Sequence, residues 1–253
     1  MTYAREALSI VAVALQVGAG EVRGQQQGGG AGGAYAGAPY LGVIRNEVLY
    51  GDVWERPQLS KRDRSLVTVA VTQAQYQADE LRGHLGRALD NGVTQEELSE
   101  LITHVTFYSG WPTGSNASRV AAEVFEARGL PLPTPITSMD PAPSGATQVR
   151  DAYPAAPYLG ELLNTVLFGD VWERPQLSKR DRSLITIAVA QALYVTDQLR
   201  SHIGRGLDNG LTQEEIAEVI THVTFYSGFP TGVNASRTAV EVYQSRGLPL
   251  PRP

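Results

Sequence analysis

The chain carries four histidines and no cysteine. Imidazoles and carboxylates are therefore the groups left to move protons, while thiolate catalysis, disulfides and cysteine-held metals are excluded. In QADELRGHLGRALDNG (77–92), Glu80 precedes His84 by four residues, which on a helix places both on one face about a turn apart. A carboxylate beside an imidazole fixes its tautomer and raises its pKa toward neutrality, which suits proton transfer. The stretch recurs as VTDQLRSHIGRGLDNG (195–210), with His202 kept and Gln198 in place of Glu80. Glutamine preserves size and hydrogen bonding but has no titratable proton. Two readings of the change stay open: a competent site in copy one with copy two completing its walls, or a harmless substitution after duplication.

His104, with Tyr108 at i+4 in ITHVTFYSGWP, is the third catalytic candidate, and His222 is its counterpart in copy two. Two other readings stay open for these histidines: ordinary packed residues, or metal ligands. Glu80 and His84 supply two ligands where metal sites usually need three or four, and Gln198 spoils the set in copy two, so no metal is expected. Arg62-Asp63-Arg64 opens an apolar helix and can hold a carboxylate, or can simply pair ions at the surface. Trp111-Pro112-Thr113-Gly114-Ser115-Asn116 reads as a segment ahead of the last helix whose amides and Asn116 can face an oxyanion, or as a capped turn. Candidate substrate contacts are therefore Arg62, Arg64, Tyr108, Trp111, Asn116, His202 and His222.

The elements that must position these residues are written twice. Residues 39–133 align with 157–251 without a gap, and 69 of the 95 positions are identical. A period of 118 residues is too long for a solenoid and indicates two copies of one domain. Each copy reads as five helices. The first, PYLGVIRNEVLYGDVWER, has a period near 3.6. Ser60, with Asp63 three residues on, caps the buried run RSLVTVAVTQAQY. Asn91-Gly92 closes the third helix, and Thr94 with Glu97 makes a capping box for the fourth. The fifth is SNASRVAAEVFEARG, beyond a break at Pro112. No strand signal appears, so the class is all-α. The expected organisation is a 1–37 segment, a first domain at 38–133, a Pro/Ser/Gly-rich linker at 134–155 and a second domain at 156–253.

A net charge of −5 and the lack of a Lys/Arg run argue against nucleic acid as a partner. Residues 7–20 are apolar but too short to span a membrane. They read either as a signal-peptide core or as an N-terminal helix, leaving cytoplasmic and exported locations both open. Residues 24–37 form a Gly/Gln-rich tether.

RDRSLVTVA, the E-L-x-x-H helix running into ALDNGVTQEEL, and ITHVTFYSGWP together resemble the 4-carboxymuconolactone decarboxylase family, over nearly all of 39–251. The resemblance implies an alkylhydroperoxidase-like helical fold, with the two copies packed as a pseudo-dimer and three fused chains forming a trimer. The peroxidase branch carries Cys-x-x-Cys ahead of the histidine. Here those positions are Gln77 and Glu80, and Val195 and Gln198, so that chemistry is closed to this chain. The decarboxylase branch implies a cofactor-independent loss of CO2 from a small anionic lactone or keto acid, with Glu80 and His84 in the acid/base positions and Arg62 or Arg64 orienting a carboxylate. The alternative is a non-catalytic helical module that binds a small carboxylate or scaffolds an assembly.

Overall fold

A computed structural model describes residues 35–136, 138–139 and 153–251. The apolar stretch at 7–20, the tether as far as residue 34 and most of the linker lie outside the described residues. Within them the chain is all helical: α1 (Pro39–Ile44), α2 (Lys61–Ala74), α3 (Ala78–Asp90), α4 (Gln95–Ser109) and α5 (Trp111–Ala127), then α6 (Pro157–Leu162), α7 (Lys179–Ala192), α8 (Thr196–Asp208), α9 (Gln213–Ser227) and α10 (Phe229–Ser245). No helix among the described residues is long and apolar enough to cross a membrane.

The caps form where the sequence puts them. Ser60 and Ser178 accept from the amides of Asp63 and Asp181, and Thr94 and Thr212 close full capping boxes with Glu97 and Glu215. Two expectations need correction. The first helix is not continuous: α1 passes into a π-helical turn at Arg45–Tyr50 and a short 3-10 turn at Val53–Glu55, and α6 passes likewise into a π-helix at Leu163–Val171. The widened turns re-aim the side chains that follow, as π-helical segments often do at functional sites. Nor does Pro112 break the chain ahead of the last helix. Gly110, at φ 95°, ends α4 and turns the chain, and Pro112 sits in the first turn of α5, where its missing N–H costs nothing. Trp111–Asn116 is therefore helix, and its amides are engaged in or lead into the helical ladder.

From Val43 onward the chain forms one compact unit. Its centre is the crossing of α2 and α7, which pack on each other and on helices of both repeats. Every α2 residue from Asp63 to Ala74 is buried. Leu66, Val69 and Ala70 face the core of their own copy, while Val67 and Val71 enter the core of copy two; Ile185 and Val189 of α7 do the reverse. A helix apolar all round is what this central position requires. The two cores have repacked in compensating steps. Copy one holds Val69, Ala88 and Val93, and copy two holds Ile187, Gly206 and Leu211. A Cβ on Gly206 would lie 2.9 Å from Ile187 Cδ1 and 3.0 Å from Leu211 Cδ1, so the larger neighbours occupy the space an alanine methyl fills in copy one.

Across the pseudo-twofold axis the arginines that open α2 and α7 exchange partners. Arg62 bonds Asp181 at 2.9 Å and also Glu97; Arg180 bonds Asp63 at 2.9 Å and also Glu215.

Candidate functional site

The π-helical turns, α2/α7, α3/α8 and α4/α9 converge twice, and each convergence draws on both repeats. In the first, His84 of α3 stacks on Trp54 with centroids 6.3 Å apart, and meets the edge of Tyr226 from α9 at 5.4 Å. His222, also from α9, meets Trp54 at 4.9 Å. Trp54 Nε1 donates to Tyr226 Oη at 2.9 Å, tying copy one to copy two. In the second, His202 stacks on Trp172, Tyr108 and His104 arrive from α4, and Trp172 Nε1 donates to Tyr108 Oη at 2.9 Å. The structure thus joins His84 with His222 and His202 with His104, each pair crossing the repeat boundary.

The fully buried histidines are fixed by their neighbours. Thr68 Oγ1 donates to the Arg64 carbonyl at 2.8 Å, a hydrogen bond common for helical threonine. The hydroxyl proton is therefore used, and His222 Nε2, 2.8 Å from the same oxygen, must donate to it. Thr186 does the same for His104 at 2.9 Å. Burial and the nearby Arg64 or Arg182 guanidinium hold both imidazoles well below the ordinary histidine pKa. Behind them Arg64 is fully buried, donating to the Arg56 carbonyl at 2.8 Å and to Glu218 at 2.9 Å. Arg182 sits likewise against the Arg174 carbonyl and Glu100. Burial pushes the Tyr108 phenol up to about 12 and raises that of Tyr226 as well, so both stay protonated.

His84 and His202 differ from these in having no threonine partner. Each is nearly buried, and each, like His222, has an Nδ1 without a hydrogen-bond partner among the described residues. Burial, then the Arg87 and Arg45 guanidiniums, lower His84 to about 4; burial, then Arg205, lower His202 to about 4. The expectation of an imidazole raised by its carboxylate is not met, because Glu80 is exposed and the charges near the ring are cationic. Glu80 stands one turn of α3 nearer solvent than His84, and Gln198 is exposed at the matching place.

The cations beside the rings are Arg45 and Arg87, not the expected Arg62 and Arg64. Arg87 Cζ lies 4.6 Å from the Tyr50 ring centroid and 5.3 Å from that of Trp54, and Arg45 Cζ lies 4.6 Å from Tyr50. Among the described residues neither is within ion-pair distance of a carboxylate. Arg87 was legible as the i+3 neighbour of His84, repeated as Arg205 after His202. Trp54 was legible inside GDVWERPQLSKRDRSL, which recurs unchanged. The other candidates take other places. Arg62 is committed to Asp181 and Glu97. Asn116 accepts from Arg119 at 3.1 Å on α5. Trp111 is exposed and lines an apolar groove of about 720 Å³ between α4 and α5. Among the described residues no three His, Asp or Glu side chains gather as metal ligands would.

The sequence profile of the Carboxymuconolactone decarboxylase family matches residues 39–123 and 157–241. A 4-carboxymuconolactone decarboxylase of Acinetobacter baylyi is 48% identical over 81 residues, covering 32% of this chain and 60% of that protein. A nitrosuccinic acid decarboxylase of Metarhizium robertsii is 32% identical over 87 residues, covering 34% of this chain and 61% of that protein. The matched stretch thus spans about three-fifths of each relative's length.

Proposed function

Since this chain belongs to the carboxymuconolactone decarboxylase family, we propose that it is a cofactor-independent carboxy-lyase acting on a small anionic lactone or keto acid of the 4-carboxymuconolactone type. The observation that carries this reading is a buried neutral imidazole with an unpartnered Nδ1, set beside guanidiniums that make no direct ion pair among the described residues. A substrate carboxylate placed against Arg87 supplies the missing counter-charge. The bond to the departing carboxylate breaks, its electron pair passes into the ring or keto carbonyl, and the resulting enolate takes a proton at carbon. Stacked aromatic rings exclude water while this happens, and the guanidinium stabilises the developing oxyanion.

His84 is the proton donor in this scheme. It is held neutral in the empty site chiefly by burial, and a bound anion raises its basicity by offsetting the smaller effects of Arg87 and Arg45. Glu80, at the rim one turn away, relays a proton to it from solvent. His222, Thr68, Trp54 and Tyr226 are positioning residues. Trp54 and Tyr226 hold the imidazole by ring contacts, and the Trp54–Tyr226 and His222–Thr68 hydrogen bonds fix the walls around it.

The low resting basicity of His84 and its lack of contact with Glu80 favour a second reading, a module that binds carboxylates without turnover. Incubation of the chain with 4-carboxymuconolactone and a panel of keto acids in deuterated water separates the two. The expected result is CO2 release with deuterium at carbon, lost in the His84→Gln/His202→Gln variant. Binding of these compounds with no CO2 from any of them overturns the enzyme reading and leaves the module.

A further inference from the structure

The two crossed clusters, each read above as a substrate pocket, match in their rings and inner cations, and differ at two positions beside the rings and, farther out, at the exposed Glu80, which is Gln198 in copy two. Trp54, His84, Arg87 and Tyr226 have the counterparts Trp172, His202, Arg205 and Tyr108. Behind them the buried charges match as well: Arg64 and Arg56 on Glu218, Arg182 and Arg174 on Glu100. The differences beside the rings fall on the π-helical turns, where Arg45 and Tyr50 of the first pocket become Leu163 and Phe168 of the second. In the first pocket two guanidiniums, Arg45 and Arg87, each lie 4.6 Å from the Tyr50 ring centroid. In the second a single guanidinium, Arg205, lies 4.8 Å from Phe168 and 5.2 Å from Trp172.

We propose that the two pockets have divided their ligands by charge, the His84 pocket taking dicarboxylates through Arg45 and Arg87, and the His202 pocket taking monocarboxylates through Arg205 alone. This rests on the reading of these pockets as the substrate sites, and goes beyond it by assigning Arg45 and Leu163 as the residues that set specificity. The argument is one of matching charge. With the inner pairs alike behind both pockets, the first has one cation and one hydroxyl more beside the rings than the second, and its one extra carboxylate, Glu80, is exposed to solvent. A second carboxylate gains a charge-assisted partner in the first and is desolvated without one in the second. Arg45, 4.6 Å from the Tyr50 ring centroid, also lowers His84 after burial and Arg87, while His202 is lowered by burial and Arg205. A neutral leucine wall in the second pocket favours the apolar end of a monoanion.

The test is calorimetric titration of the full chain with 2-oxoglutarate and with levulinate, keto acids of equal carbon number that differ by one carboxylate. For 2-oxoglutarate the expected result is one tight and one weak site, separated by at least about tenfold, the size of one charge-assisted hydrogen bond. Arg45→Leu should abolish that separation while changing levulinate binding less than about threefold. Leu163→Arg should bring the second site to the affinity of the first, which guards against a variant that merely perturbs the fold. Equal affinity at both sites in the unaltered chain, or an Arg45→Leu effect alike for both probes, overturns the division while leaving the parent reading in place. Failure of both probes to bind overturns the division, and the parent reading is decided separately by CO2 release from 4-carboxymuconolactone.

Discussion

Lowering the pH from 7 to 5.5 exposes the energetic consequence of burying neutral imidazoles. Unfolded, a histidine titrates near 6.5. In the folded chain His84 and His202 titrate near 4, chiefly through burial. Between these values the unfolded state binds protons that the folded state refuses, so stability falls as pH falls from about 6.5 and this contribution levels off near 4. Integrated from pH 7 to 5.5, the loss is about 1.2 kcal/mol for each of the two, about 2.5 kcal/mol together. His104 and His222, shifted the same way, deepen the loss. For a domain of this size about 2.5 kcal/mol corresponds to roughly 5–10 °C in Tm. The assay is urea unfolding at pH 7 and at 5.5 for the unaltered chain and for His84→Gln/His202→Gln. Titrations elsewhere are common to both chains and cancel in the comparison. The variant should lose about 2.5 kcal/mol less on acidification. Equal losses in the two chains would refute the claim that these imidazoles are held neutral by burial.

Three further outcomes follow from the packing and the site. Gly114→Ala places a Cβ 2.0 Å from Thr106 Oγ1 and should destabilise by about 1–3 kcal/mol in thermal melts, with Thr106→Ala in the same chain recovering part of the loss. Asp181→Asn weakens the hold of Arg62 across the pseudo-twofold axis and should cost about 1–3 kcal/mol in urea unfolding, whereas Asp79→Asn, at an exposed pair, should leave the unfolding midpoint unchanged. If Glu80 feeds protons to His84 as proposed, Glu80→Gln should slow turnover of a dicarboxylate substrate about tenfold or more, and Gln198→Glu should leave it unchanged; full activity in Glu80→Gln would remove the relay from the scheme. Self-association stays part of the family-based reading, with light scattering expected to give three times the 27.2 kDa chain mass.

Much of the architecture was written locally. Capping residues, the Asn91-Gly92 stop and the apolar run of α2 each act within a few residues of themselves, so their helices could be read directly. The continuous first helix was misread because the apolar period of 39–56 does not reveal where a π-helical turn widens the ladder. The turn at 111–116 was misread because proline both ends helices and begins them, and Gly110 decides which. The site was legible as residue types but not as a constellation. His84 was found by its spacing, and His104 and Tyr108 by their helix. That His84 takes its aromatic walls from Tyr226 and His222 depends on how α2 crosses α7, a long-range arrangement with no signature in either copy alone. Glu80 was chosen for its distance along the helix, which says nothing of depth: one turn separates a buried ring from open water.

The crossing of wall residues between repeats has a genetic consequence. When two identical subunits build such pockets, one gene encodes both, and every substitution strikes each pocket at once. Fusion lifts that constraint. A change at position 45 or 163 alters one chamber and spares its twin, so the two can be tuned by separate mutations. Each chamber as it stands here draws walls from both halves, so its two sides vary at separate positions of one gene.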